Sequence, residues 1–186
     1  MKATCQDIAK IMITPEEIDA TVTRLAEQIS NDYPVTPGKR TLLLCVLKGS
    51  IVFIADLMKK LTVPVEMDCV MASSYRDGTV SGELVFKLEP QRDDWQDVDV
   101  LLVEDIVDTG RTLTALKARI EALGAASVRI VTLLDKPSRR HTPLEADYIG
   151  QQIPDVFIVG YGLDYAEKYR DLPYIGILSE EAIAKG

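Results

Sequence analysis

An α/β fold around a mainly parallel sheet is predicted by three features of this chain. Twice, at residues 41–60 and 98–123, an aliphatic run gives way to a short turn of small and charged residues and then to a helical pattern. The apolar runs at 41–47, 98–103 and 127–134 are nearly continuous rather than alternating, as in strands covered on both faces. With 186 residues, 47% of them hydrophobic, the chain can bury one substantial core, which fits a single domain over residues 1–186.

The elements follow in order. Thr14-Pro15-Glu16-Glu17 is a helix start: Thr14 caps, Pro15 takes the first helical position and Glu17 completes a capping box. Ile18, Val22, Leu25, Ala26 and Ile29 then form an apolar stripe. Residues 33–39, with two prolines and a glycine, form a loop. The strand at 41–47 is broken by Lys48-Gly49-Ser50 before a helix at 51–60. Residues 63–71 alternate (Val63, Val65, Met67, Cys69, Met71) and read as a strand, followed by a hairpin arm over 80–88. Trp95 packs against the adjoining strand. Beyond the second helix, whose apolar face carries Leu113, Leu116, Ile120 and Leu123, Gly124 stands where a C-terminal cap is expected. Strands at 127–134 and 156–159 complete the pattern.

The charges of the central stretch, VDVLLVEDIVDTGRT at residues 98–112, divide into two jobs. A strand, a turn and a helix N-terminus place successive backbone amides around an anion. Thr109, Gly110 and Thr112 suit a phosphate. Glu104 and Asp105 would repel one; they suit hydroxyls or a divalent cation held among oxygens. A sugar phosphate satisfies both sets. Lys48 ends the other strand–turn–helix unit. A strand-end lysine is ordinarily just solvated, but beside Gly49 and Ser50 an anion site is an equal alternative.

Composition narrows the classes. A formal charge of −8 and a single histidine argue against a general nucleic-acid surface. Cys5, Cys45 and Cys69 lack metal-ligand spacing, and their odd count gives no disulfide framework, which favours a reducing cytoplasm. No signal peptide is evident. The longest apolar region, residues 41–57, is interrupted by Lys48, Gly49, Ser50 and Asp56, so no membrane span is expected. Arg139, Arg140 and His141 form the most basic patch, read as exposed and as suited to subunit contact as to ligand contact.

VLLVEDIVDTGRTL at residues 100–113 resembles the phosphoribosyl pyrophosphate motif of the type I phosphoribosyltransferases. LKGS at 47–50, ASSY at 72–75, LLDKPSRR at 133–140 and PDVFIVGYGLDYAEKYRDLPYIG at 154–176 resemble the hypoxanthine–guanine branch of that family. The resemblance runs from about Ile11 to Leu178. It implies the type I phosphoribosyltransferase fold, with a small hood from the N-terminal segment and about 154–186 and a flexible hairpin lid.

The implied reaction is Mg2+-dependent transfer of the 5-phosphoribosyl group from phosphoribosyl pyrophosphate to hypoxanthine and/or guanine in purine salvage. The resemblance places the phosphoribosyl unit on Glu104, Asp105, Asp108, Thr109, Gly110, Arg111 and Thr112, and pyrophosphate on Lys48, Gly49 and Arg170. The 6-oxopurine falls to Lys136, Phe157, Ile158 and Asp164, and the lid to Ser74 and Tyr75. Relatives often carry glycine after that tyrosine; here Arg76 follows, and Gly78 and Gly82 remain to supply flexibility. Glu104, Asp105 and Asp164 are the implied metal ligands, and Asp108 the proton-handling catalytic residue. Also implied are a non-proline cis bond at Lys48–Gly49 and a homodimer or homotetramer. Residues alone would have placed Phe157 in the core and read Tyr165 and Tyr169, at i and i+4, as packing. The weighed alternatives are a xanthine-preferring enzyme and a non-catalytic regulator that senses phosphoribosyl pyrophosphate and binds nucleic acid.

Overall fold

The structure is a computed structural model that describes residues 6–74, 84–90 and 92–185. Its main sheet has six strands in the order β4-β3-β2-β5-β6-β7: β2 (Arg40–Val46), β3 (Glu66–Ser74), β4 (Leu84–Leu88), β5 (Val98–Val107), β6 (Ser127–Asp135) and β7 (Tyr148–Gln152). All neighbours pair in parallel except β4, which runs antiparallel to β3 at the edge. A second, three-stranded antiparallel sheet joins β1 (Ile8–Ile13), β9 (Ile175–Leu178) and β8 (Ile158–Val159).

Helices cover both faces of the main sheet, which explains the unbroken apolar runs. In β2, Leu43 and Cys45 point to the face packed by α1 (Pro15–Asp32) and α2 (Ile51–Lys60), beside Val22, Leu25, Phe53 and Leu57. Leu42 and Leu44 point to the other face, beside Leu113, Leu116 and Ile120 of α3 (Arg111–Ala122). Trp95 is buried in that second cluster, with the Arg92 guanidinium 5.4 Å from its ring centroid. A third small cluster, including Val159, Tyr174 and Leu178, lies under the three-stranded sheet, where the short helix α4 (Glu180–Lys185) packs Ala182.

Three expectations need correction. The acidic pair does not end the central strand: β5 continues through Ile106 and Val107, which pair with Leu134 and Asp135 of β6. β2 stops pairing with β5 at Cys45↔Val103, so Glu104 and Asp105 lie where one neighbour has turned away and the other continues. The third strand begins at Glu66 rather than at 63, and Met67 is exposed because this strand lies near the sheet edge. Finally, Tyr165 and Tyr169 do pack, against the third cluster, but not along a helix: Ala166, Glu167 and Tyr169 have φ of 51°, 62° and 74°, which reverse the chain. Their hydroxyls instead donate to the Ile183 carbonyl and to Asp7 Oδ2.

At the start of α1 the capping box is complete, with the Glu17 amide donating to Thr14 Oγ1 at 3.3 Å and the Thr14 amide to Glu17 Oε2 at 2.8 Å. Thr14→Ala should therefore lower stability by about 1 kcal/mol in chemical denaturation, with the slope of the transition unchanged.

Candidate active site

The site is assembled where three neighbouring parallel strands, β2, β5 and β6, reach their C-terminal ends. β2 delivers the turn 47–50, β5 delivers Glu104, Asp105 and the turn 108–112, and β6 delivers Lys136.

The first turn is pressed onto the acidic pair. The Leu47 amide still donates to Val70 O of β3 at 2.8 Å, and the Leu47–Lys48 peptide is cis. The cis bond thus lies one residue before the expected Lys48–Gly49, at the step where the chain leaves its last hydrogen bond to the sheet. A Cβ added to Gly49 would stand 1.7 Å from Asp105 Oδ2, so only glycine lets this turn lie against the carboxylate. On the opposite side, a Cβ on Gly162 would stand 2.0 Å from Gly49 O. Ser50 is fully buried; its hydroxyl donates to Val46 O at 2.6 Å and lies 3.2 Å from Cys45 Sγ.

Burial pushes the Glu104 carboxyl well above the usual carboxylate range, and repulsion from Asp105 adds to it. Asp105 is also raised by burial, against the opposing effects of hydrogen bonds from Glu104 and the Ile106 amide and of the Arg170 charge. The Ile106 amide donates to Asp105 Oδ1 at 2.7 Å. Two adjacent carboxyls, Asp105 buried and Glu104 half-buried at the cavity wall, suit hydroxyl or cation partners.

The second turn opens α3. Gly110 has φ +79°, and a Cβ there would come within 2.5 Å of Thr142 Oγ1. Glu104, Asp108, Thr109, Gly110 and Thr112 line a single cavity of about 220 Å³. The acidic pair's first member and the small-residue turn therefore face one space. Arg111 is exposed at the first position of α3.

Beside this cavity lies the segment that leaves β6. The Lys136 amide donates to Val107 O and the His141 amide to Thr109 O, both at 3.0 Å. Lys136 is buried, and its Nζ donates to Val156 O at 2.7 Å. Arg140 is not the exposed residue expected: Nη1 donates to Asp108 O at 3.0 Å, and Nη2 pairs with Asp135. Phe157 is 43% exposed, its ring edge-on to Tyr165 at 5.1 Å between centroids, so it is no core residue. The Ile158 side chain is buried in the main cluster, leaving only its backbone to face a ligand.

Residues 13–166 match the phosphoribosyl transferase domain family. The chain belongs to that family. It is 46% identical over 180 residues to the hypoxanthine-guanine phosphoribosyltransferase of Streptococcus thermophilus (strain CNRZ 1066), covering 97% of this chain and 98% of that one. It is similar to the crystal structure of a hypoxanthine phosphoribosyltransferase from Staphylococcus aureus, with TM-score 0.88, 41% identity and 94% of both chains covered. A hypoxanthine phosphoribosyl transferase structure from Trypanosoma cruzi aligns with TM-score 0.92 and 38% identity, over 98% of this chain and 97% of that one.

In this phosphoribosyl transferase, Lys48 and Arg170 meet on Glu167, a residue that sequence reasoning missed. Lys48 Nζ lies 3.1 Å from Glu167 Oε1, and Arg170 Nη2 lies 3.2 Å from Glu167 Oε2. These cations hold the Glu167 carboxyl below its usual range. The only prior signal was an acid three residues before Arg170 in AEKYR; the left-handed bend that aims it was invisible. Asp164 is not gathered with Glu104 and Asp105. Its Oδ1 lies 2.9 Å from Arg170 Nη2 and its Oδ2 accepts from the Glu167 amide at 2.9 Å. Among the described residues no three acidic, histidine or cysteine side chains cluster to hold a metal. Ser74 is the last described residue of β3, whereas Tyr75, Arg76, Gly78 and Gly82 lie outside the described residues.

The raised Glu104 carboxyl has a signed consequence. Its folded pKa exceeds its unfolded value, so its ionisation opposes folding fully above the folded pKa, and that penalty fades as pH falls toward about 4.3. Glu104→Gln should raise stability at pH 7, with the difference from wild type shrinking toward pH 4.5. Thermal melts across pH 4.5–8 check this.

Proposed function

We propose that this chain transfers the 5-phosphoribosyl group from phosphoribosyl pyrophosphate to hypoxanthine and/or guanine, giving IMP or GMP and pyrophosphate in purine salvage. One observation carries the reading beyond the relatives' names. The ends of β2, β5 and β6 present a strand-end lysine, a diol-type acidic pair beside a phosphate-type turn, and a second, buried lysine on one rim.

In this reading the turn from Asp108 to Thr112, with Arg111, holds the 5-phosphate on amides and hydroxyls at the start of α3. Glu104 and Asp105 hold the ribose hydroxyls. Lys48, the backbone at Gly49, and Arg170 take the pyrophosphate, displacing Glu167 as their partner. With both ends of the sugar fixed, the anomeric carbon moves from leaving group to nucleophile with little reorganisation. Lys136 already spends one of its three donor positions on Val156 O; another meets the exocyclic oxygen of a 6-oxopurine, where adenine would present an opposing donor. Phe157, exposed and edge-supported by Tyr165, stacks on the purine, and the backbone at Ile158 borders it. Asp108 accepts the proton from, or stabilises charge at, the imidazole nitrogen not being alkylated.

The buried acidic pair also fits Mg2+, with Glu104 and Asp105 as its protein oxygens, directly or through water. Asp164 would join them only on release from Arg170. When bound, the ion lowers the charge on the leaving pyrophosphate. A homodimer or homotetramer in the cytoplasm completes the proposal. No helix among the described residues is long and apolar enough to cross a membrane.

Asp108→Asn tests the proton role. The variant should bind phosphoribosyl pyrophosphate within about twofold of wild type, yet lose roughly 10²-fold or more in single-turnover formation of IMP. Unchanged single-turnover rates would remove Asp108 from that role.

A further inference from the structure

Arg139 is the residue whose placement neither composition nor the proposed roles account for. It lies in the short 3-10 turn Pro137–Arg139 after β6, with 47% of its side chain exposed. Its Nε donates to Asp108 Oδ1 at 3.1 Å, and its Nη1 donates to Asp155 Oδ2 at 3.4 Å. The neighbouring Arg140 takes the main-chain oxygen of the same Asp108. Two consecutive arginines thus hold one aspartate, one by its backbone and the other by its carboxylate. Asp155 lies 3.8 Å from Lys136 Nζ as well, so a line of alternating charges runs Asp108–Arg139–Asp155–Lys136.

We infer that Arg139 is a positioning residue for Asp108, fixing the direction in which its carboxylate meets the purine. The inference rests on the proposed proton role of Asp108. At this exposure the pair adds little to folding, so stability does not explain the contact. Geometry does. A carboxylate offers lone pairs on two oxygens. With Oδ1 committed to Arg139, Oδ2 remains for the base, and rotation about the side chain is restrained. This is the arrangement in which a proton acceptor is oriented by a third group. Asp155 anchors the far end of the guanidinium, two residues before the ring of Phe157, so acceptor and stacking aromatic are held in one frame. The fork is necessary: Nε and Nη1 reach two carboxylates at once in fixed directions, which a lysine ammonium on a flexible stem cannot reproduce.

Steady-state and single-turnover kinetics on hypoxanthine test this with Arg139→Ala, Arg139→Lys, and each combined with Asp108→Asn. Arg139→Ala should lower kcat roughly ten- to hundredfold while the KM for phosphoribosyl pyrophosphate stays within about twofold. Arg139→Lys should recover only part of the loss. In the Asp108→Asn background, Arg139→Ala should cost almost nothing further, because the group it orients is already disabled. Thermal melts within a few degrees of wild type exclude misfolding; a variant that melts early is replaced in the comparison by Asp155→Asn, which should show a weaker loss of the same kind. Unchanged kcat in Arg139→Ala, or an undiminished loss in the Asp108→Asn background, overturns the inference. Wild-type protein without turnover overturns the proposed function, and the inference with it.

Discussion

The close approach of the turn 47–50 to the acidic pair is the constraint on which the site depends. β2 releases β5 after Cys45↔Val103, while β6 stays paired with β5 as far as Val107↔Asp135. That mismatch in strand length opens the notch that the turn fills. Gly49 then sits against Asp105 on one side and Gly162 on the other, with no room for a Cβ on either glycine. Asp105 is buried beneath this turn and Glu104 half-buried at the cavity wall, and desolvation raises both carboxyls. Receptivity to hydroxyls or a cation and a stability cost have the same cause here, as is common where a fold is strained to serve chemistry.

An acidic chain with a net charge of −8 still presents a cationic rim, because each cation is held by a nearby carboxylate. Lys48 and Arg170 share Glu167, Arg170 also holds Asp164, and Arg139 joins Asp108 to Asp155. These pairs are exposed enough to be weak. In the proposed reaction the pairs on Glu167 keep Lys48 and Arg170 gathered near the strand ends yet able to exchange that partner for an arriving diphosphate, whereas Arg139 keeps its hold on Asp108.

Much of this was legible in the chain. The α1 capping box, the parallel strands at the heart of the sheet and the helix after Gly110 follow from local patterning, since each apolar run has helices on both faces. The turn 108–112 stood out by its small and hydroxyl residues at a strand end, whereas Lys48, read from residues alone, was evenly balanced between a solvated strand end and an anion site. What stayed hidden is what long-range packing decides. β5 outruns its acidic pair because β6 continues beside it. Phe157 is exposed because it stands just before β8, where Ile158, the next residue, turns into the main cluster. Glu167 and Arg139 find their partners only after chain reversals, one at non-glycine residues with positive φ and the other in a single 3-10 turn. The first leaves no compositional mark, and the second only Pro137.

The central claim is that the buried lysine at the end of β6 and the sugar-phosphate notch of β5 serve one reaction on 6-oxopurines. Product formation with Mg2+ and phosphoribosyl pyrophosphate, measured in parallel on hypoxanthine, guanine, xanthine, adenine and orotate, tests it most directly. Rapid turnover of hypoxanthine or guanine, with adenine and orotate inert, is the predicted result, because Lys136 can donate to the exocyclic oxygen but opposes an amino group. Comparable turnover of adenine or orotate would contradict the role of Lys136. Failure of all five bases while phosphoribosyl pyrophosphate still binds would contradict catalysis itself and leave a ligand-sensing protein in its place.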